Sequence, residues 1–234
     1  MSSGSVNTTP LRAPLQQGLR DLGCWPADEA QAEGVTERLL AYLDLISRWN
    51  RVYNLTAVRD PAEMLVQHLL DSVAVVPPLT QALVAQRGDA AQRVLDVGSG
   101  AGLPGVVIAI LRPELSVVCV DAVAKKARFI RQVATELGLR RLQAEHTRIE
   151  NLQAPGFGVV TSRAFASLVD FVNLTRQHVA PGGVWMAMKG KLPDDEMAVL
   201  PAGVAVTGTQ PLVVPGLDAQ RCLVWMKPAA EPAA

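Results

Sequence analysis

The stretch Val94-Leu95-Asp96-Val97-Gly98-Ser99-Gly100-Ala101-Gly102-Leu103-Pro104-Gly105 decides the fold. A short β-branched apolar run enters a glycine-rich turn, and the apolar residues resume at helical period from Gly105 to Leu111, closed by Pro113. Strand, glycine turn and helix in that order form the ligand-binding corner of an open parallel sheet, where ligands sit outside the carboxyl ends of the strands. The glycines let a ligand approach the backbone closely. Read outward from there, short runs rich in valine alternate with helical stretches: Arg93–Val97, Ser116–Asp121, Leu142–His146, Val159–Ser162 and Val184–Met188. Such alternation specifies right-handed βαβ units and a parallel sheet covered by helices on both faces. The helix Ala122–Leu137 is closed by Gly138, suited to the position just past a helix end. Two last strands, Val204–Leu212 and Cys222–Lys227, are separated only by a Pro/Gly turn region, which favours an antiparallel pair. The expected fold is therefore α/β, Rossmann-like, with a mostly parallel seven-stranded sheet.

Ahead of the sheet, helical period dominates from residue 15 to residue 86. Leu39, Leu43, Ile46, Asn50 and Tyr53 fall near one helix face, flanked by Leu40 and Trp49. Asp60-Pro61-Ala62-Glu63 reads as a helix start with Asp60 as cap, and Pro77-Pro78 as the stop of that helix. The division expected is a mobile tail at 1–14, a helical segment at 15–90 packed on the core, an α/β domain at 91–227 and a flexible tail at 228–234.

Composition excludes several classes. Of 234 residues, 49% are apolar and 19% charged, so the chain is neither disordered nor collagen-like. Lys+Arg and Asp+Glu are each 22, for a net charge of +0, so a nucleic-acid partner has to meet a local patch. No apolar run reaches the roughly 18 residues of a membrane span, and no membrane partner is expected. Cys24, Cys119 and Cys222 are scattered, and the polar N-terminus lacks a secretory pattern. Both features suggest a reducing, cytoplasmic setting. His68, His146 and His178 lack ligand spacing, so no metal is assigned.

The residues around the glycine turn suggest a ligand. Gly100-x-Gly102-x-x-Gly105 matches the dinucleotide fingerprint literally, but Asp96 stands at the strand end. A carboxylate there disfavours a pyrophosphate and suits a cation, such as the sulfonium and ammonium of S-adenosylmethionine. Asp121 closes the second strand, where a carboxylate accepts both ribose hydroxyls or caps the next helix. Thr147-Arg148-Ile149-Glu150 lies where an adenine would rest, with Ile149 on the ring and Glu150 at its edge; a plain surface charge is the other reading of Glu150. Thr161-Ser162-Arg163-Ala164-Phe165-Ala166 ends the fourth strand, facing the reacting centre. Arg163 suits a carboxylate, a phosphate or a guanine edge there, and a structural ion pair equally. Neither Asn-Pro-Pro-Tyr nor Pro-Cys occurs, which disfavours amine methylation and a covalent cysteine route. Lys125, Arg128 and Arg131 recur along one helix, with Lys126 beside them, as an RNA-facing stripe or a solvated face. Lys189-Gly190-Lys191 follows the fifth strand. The competing classes are an NAD-dependent oxidoreductase on the same loop and a non-catalytic RNA-binding scaffold.

Trp49-Asn50-Arg51-Val52-Tyr53-Asn54-Leu55-Thr56 and His68-Leu69-Leu70-Asp71-Ser72 resemble the N-terminal signature of the bacterial 16S rRNA guanine-N7 methyltransferases, the RsmG or GidB family. Asp96–Gly105, Ser162-Arg163-Ala164-Phe165-Ala166 and Lys189-Gly190 are similar to its other blocks, in order, over residues 30–227. The resemblance implies a class I methyltransferase fold with an N-terminal helical extension. It implies S-adenosylmethionine as donor and N7 of guanine 527, in the 530 loop, as acceptor. It places Gly98 and Leu103 on the methionine and ribose side, Ile149 and Glu150 at the adenine, and Arg163 at the closure of the pocket. Asp121 joins the cofactor-binding set from the fold logic. No catalytic acid or base is nominated, because guanine N7 carries a lone pair and no proton. The expected partner is 16S rRNA or an assembling small ribosomal subunit, met by a monomer.

Overall fold

The computed structural model describes residues 7–86 and 88–229. Among the described residues five α-helical pieces precede the sheet: α1 (Arg12–Asp21), α2 (Glu29–Tyr53), α3 (Pro61–Met64), α4 (Asp71–Val73) and α5 (Val76–Val84), with a π-helical stretch at Leu65–Leu70 between α3 and α4. Then follow β1 (Arg93–Val97), α6 (Gly105–Leu111), β2 (Ser116–Asp121), α7 (Ala124–Glu136), β3 (Leu142–His146), β4 (Phe157–Arg163), α8 (Leu168–Thr175), β5 (Val179–Lys189), α9 (Asp194–Ala198), β6 (Val204–Pro211) and β7 (Cys222–Pro228). The sheet order is β3-β2-β1-β4-β5-β7-β6. The first five strands are parallel, β7 runs antiparallel to β5, and β6 pairs antiparallel with β7. The order reverses beside β1, so the β1 turn opens at the switch point where such sheets bind ligands. The seven expected strands are all present.

Two apolar layers sandwich the sheet. One joins Leu39, Leu43 and Ile46 of α2 with Leu69 and Val73, and continues into Val106 and Val107 of α6, Phe129 of α7 and Val94 and Val117 of the strands. The helical segment therefore shares one continuous core with the sheet. The opposite layer gathers Leu95, Val160, Phe171 and Trp185. Helix ends follow local chemistry. Asp28 caps α2 by accepting from the Gln31 N–H at 2.8 Å, and Asn54, with φ 49°, closes it in the left-handed conformation. Past α7, the Leu139 N–H reaches the Ala134 carbonyl at 2.9 Å across Gly138, the stop expected there.

Several expectations fail locally. The mobility expected of 1–14 does not extend to residues 9–14. Thr9–Leu11 forms a 3₁₀ turn running into α1, and Leu11, Leu15 and Leu19 are buried. A fully buried leucine contributes about 1.5–3 kcal/mol, so three at one helix face dock the segment. Residues 1–6 and 230–234 lie outside the described residues, whereas Pro228 still belongs to β7, and the Ala229 N–H donates to the Gly203 carbonyl. Asp60 precedes α3, but its side chain makes no cap bond. Pro77-Pro78 falls in the first turn of α5, where a missing N–H costs nothing, so the pair starts a helix as well as marking the preceding break. Tyr53 is 40% exposed, its ring against Trp49 at 4.8 Å instead of in the core.

Candidate methyl-transfer site

The β1 turn is shaped by its glycines. Gly98 has φ 68°, and a Cβ on it would lie 3.1 Å from Phe165 Cγ, nearer still to Cδ2. Gly100, with φ 60°, would bring a Cβ no nearer than 3.9 Å to any atom, the Gly98 carbonyl oxygen. Three side chains brace the turn. Tyr42 of α2, fully buried, donates its hydroxyl to the Ala101 carbonyl at 2.6 Å. Burial pushes that phenol well above its ordinary range, so it stays a donor. Asp121, at the end of β2, accepts from the Gly100 N–H at 3.0 Å and the Val123 N–H at 2.8 Å, and Lys126 stands 3.6 Å away. Asp121 does not cap α7, whose N-cap is Val123 with no side-chain cap bond; one oxygen closes a local turn on the Val123 N–H and the other ties the loop. Asp96 Oδ2 accepts from the Gly105 N–H at 2.9 Å.

Asp96 departs from expectation. It is fully buried behind the turn and lines neither cavity described below. Its Oδ1 has no hydrogen-bond partner among the described residues. Burial raises its pKa from 3.8 to about 6, opposed by the Gly105 N–H and by Arg163.

Two cavities meet at the turn. The larger, about 550 Å³, is lined on one side by Thr56, Gln67, His68 and Asp71 of the helical segment. Gly98, Leu103, Arg163, Lys189 and Arg221 of the sheet edge line the other. The smaller, about 380 Å³, holds Asp121, Arg148, Ile149, Glu150 and Phe165. Gly98, Lys126 and Ala164 belong to both. The sequence candidates therefore divide: Leu103 and Arg163 in the larger cavity, Asp121, Ile149 and Glu150 in the smaller, and Gly98 between. Ile149 is buried with its edge on the cavity, its carbonyl 3.0 Å from His178 Nε2, while Glu150 is exposed. An apolar floor beside a carboxylate, reached across a glycine turn, fits an adenosine and a methionine tail.

The larger cavity holds residues that sequence reasoning missed. Arg163 Nη1 donates to Asp71 Oδ2 and to the Gln67 carbonyl, both at 3.0 Å. Arg221 Nε donates to Asp71 Oδ1 at 2.8 Å. Asp71 stands in a motif that the sequence reading singled out, without a role; Arg221, 150 positions away, carried no local signal. His68 Nε2 is 2.7 Å from Thr56 Oγ1. Burial, helped by Arg163, lowers its pKa, so the ring is neutral at pH 7. Lys189 is held by Glu196 at 2.9 Å. The basic stripe is partly structural: Lys125 donates to the Tyr53 carbonyl and Arg131 to the Ala144 carbonyl, each at 2.8 Å, while Arg128 is exposed.

This fold and site define an S-adenosylmethionine-dependent methyltransferase. The model of the family GidB, rRNA small subunit methyltransferase G, matches residues 35–224, and the chain belongs to that family. It is 63% identical over 190 residues to the ribosomal RNA small subunit methyltransferase G of Methylibium petroleiphilum, covering 81% of this chain and 84% of that protein. The protein of the same name from Leptothrix cholodnii is 57% identical over 219 residues, covering 94% and 96%. Among solved structures, TrmN from Thermus thermophilus shares the fold with a TM-score of 0.53 at 19% identity, over 70% of this chain and 53% of that one. An S-adenosylmethionine-dependent methyltransferase from Aquifex aeolicus matches with 0.53 at 14%, over 74% and 96%. With the family in place, the oxidoreductase and scaffold readings fall away. Among the described residues no helix is long and apolar enough to cross a membrane.

Proposed function

We propose that this chain methylates N7 of guanine 527 in the 530 loop of 16S rRNA, free or in an assembling small subunit. It does so as a single chain in the cytoplasm. The observation that carries the reading is the meeting of two cavities at Gly98, one suited to a nucleoside and one electropositive. S-adenosylmethionine supplies the methyl group on its sulfonium. In this reading the α/β domain 91–227 holds the donor, and the helical segment 15–90 walls the acceptor side.

Gly98 and Leu103 line the methionine and ribose, and Ile149 and Glu150 the adenine. Arg163 closes the far side. Asp121 takes the ribose hydroxyls: a carboxylate has about four acceptor positions, two are filled by loop N–H groups, and Lys126 at 3.6 Å yields its place. Guanine N7 attacks with a lone pair already free, so no side chain has to remove a proton. The chain contributes approach, alignment and a fixed field. The test is methyl transfer from labelled donor to unmethylated 16S rRNA, followed by mapping of the modified base. Label on an exocyclic amine, on another guanine or nowhere refutes the assignment.

A further inference from the structure

We propose that Arg163 and Arg221, held side by side by Asp71, form a clamp for a phosphodiester group of the RNA next to the target guanosine, with Asp71 as the positioning residue. The inference rests on the rRNA-methyltransferase reading above and names the part of the substrate that the larger cavity grips.

Three distant segments build the clamp. Asp71 follows the π-helical stretch, Arg163 ends β4 and Arg221 immediately precedes β7. The Asp71 side chain is 2% exposed, with one oxygen 3.0 Å from Arg163 Nη1 and the other 2.8 Å from Arg221 Nε. A carboxylate that deep persists only when fully paired, and here both oxygens are engaged. The π-helical stretch adds a second anchor. The Asp71 N–H bonds to the carbonyls of Val66 and His68 and passes over that of Gln67. The Gln67 carbonyl instead accepts Arg163 Nη1. With both acceptors on one nitrogen, Arg163 is fixed in orientation, and its Nε and Nη2 have no partner among the described residues. Arg221 Nη1 donates to the Gln220 carbonyl, and its Nη2 is likewise free.

Charge decides what the clamp takes. Lys126 and Lys189 stand against Asp121 and Glu196, but Arg163 and Arg221 share one carboxylate. Among these side chains one positive charge is left over, carried by planar forks suited to a phosphate. The donor has a net positive charge, so this excess favours the polyanionic acceptor. The guanine edge is not the target, because an arginine forked on O6 and N7 would occupy the lone pair that attacks. A phosphate contact holds the nucleotide and leaves N7 free.

The test is calorimetry on the chain loaded with S-adenosylhomocysteine, using guanosine, guanosine 5′-monophosphate and guanosine 3′-monophosphate. One monophosphate is expected to bind about tenfold more tightly than guanosine, the scale of one charge-assisted contact. Arg221→Ala and Asp71→Asn should each erase that gap, and Arg221→Ala should leave the affinities for guanosine and S-adenosylhomocysteine as they were. If Asp71→Asn does not fold, Arg221→Ala at the partly exposed site decides alone. No gap in the unaltered chain, or a gap that survives Arg221→Ala, overturns the clamp. So does a parallel fall in S-adenosylhomocysteine affinity, which assigns the arginines to the donor's carboxylate. Methyl transfer to 16S rRNA runs alongside. Transfer to N7 without a gap defeats the clamp alone, whereas no transfer to 16S rRNA defeats the reading beneath it as well.

Discussion

Placing a methyl group on Gly98 tests whether the turn and Phe165 are shaped for a ligand. Gly98 and Gly100 both hold positive φ, 68° and 60°, so alanine at either position carries the same backbone penalty of about 1–2 kcal/mol. Their surroundings differ. At Gly100 the nearest atom to an added Cβ is the Gly98 carbonyl oxygen at 3.9 Å, an ordinary contact. At Gly98 the Cβ would stand 3.1 Å from Phe165 Cγ and 3.2 Å from its Cβ, inside the ~3.5–4.0 Å at which carbons pack. The Phe165 ring has to move, and it lines the smaller cavity. Gly98→Ala should therefore lose about 1–3 kcal/mol more in donor binding than Gly100→Ala, a factor of ten or above. Stability should fall in both, and further in Gly98→Ala, because the crowding against Phe165 is present without the donor. Calorimetric titration of S-adenosylmethionine and urea unfolding of the two variants measure these quantities. Equal donor affinities would refute the assignment of this cavity to the donor.

Asp121→Ala should weaken donor binding by about 1.5–3 kcal/mol by calorimetry. It should also cost stability, because two loop N–H groups lose their acceptor; an unchanged affinity in a folded variant removes Asp121 from the site. Tyr42→Phe leaves the Ala101 carbonyl without its donor and should cost about 1–3 kcal/mol in urea unfolding, with a loss under 0.5 kcal/mol counting against a brace. Arg128→Glu should weaken rRNA binding and reduce its salt dependence by about one contact, leaving donor affinity alone. Charge reversal of Lys125 or Arg131 is less clean, since each also holds a backbone carbonyl. The Asp96 carboxyl keeps its proton to about pH 6 in the fold, against 3.8 for the free group. The fold is thus relatively favoured in acid and gives up about 3 kcal/mol as pH rises through 6. Asp96→Asn should remove that slope from denaturant midpoints measured between about pH 4 and 7.

The sequence by itself determined the sheet and its ligand-binding corner. Valine-rich runs alternating with helical stretches admit few topologies, and a glycine turn after β1 makes its own backbone shape, because positive φ at Gly98 and Gly100 is a local property of glycine. Asp121 was legible for the same reason: its place is set by counting from the turn to the next strand end. Local signals misled where packing overrode them. The N-terminal segment reads as a polar tail, yet Leu11 and Leu15 dock it, and Asp96 reads as a ligand contact although the fold buries it completely. The electropositive half of the site was decided only by the tertiary structure. In the chain Arg163 reads as a candidate without a partner, Asp71 as part of a motif without a role, and Arg221 as an ordinary surface charge. They become one unit when the helical segment, β4 and β7 converge, because a carboxylate can orient two guanidinium groups only across a few ångströms of space, a proximity that no spacing along the chain encodes.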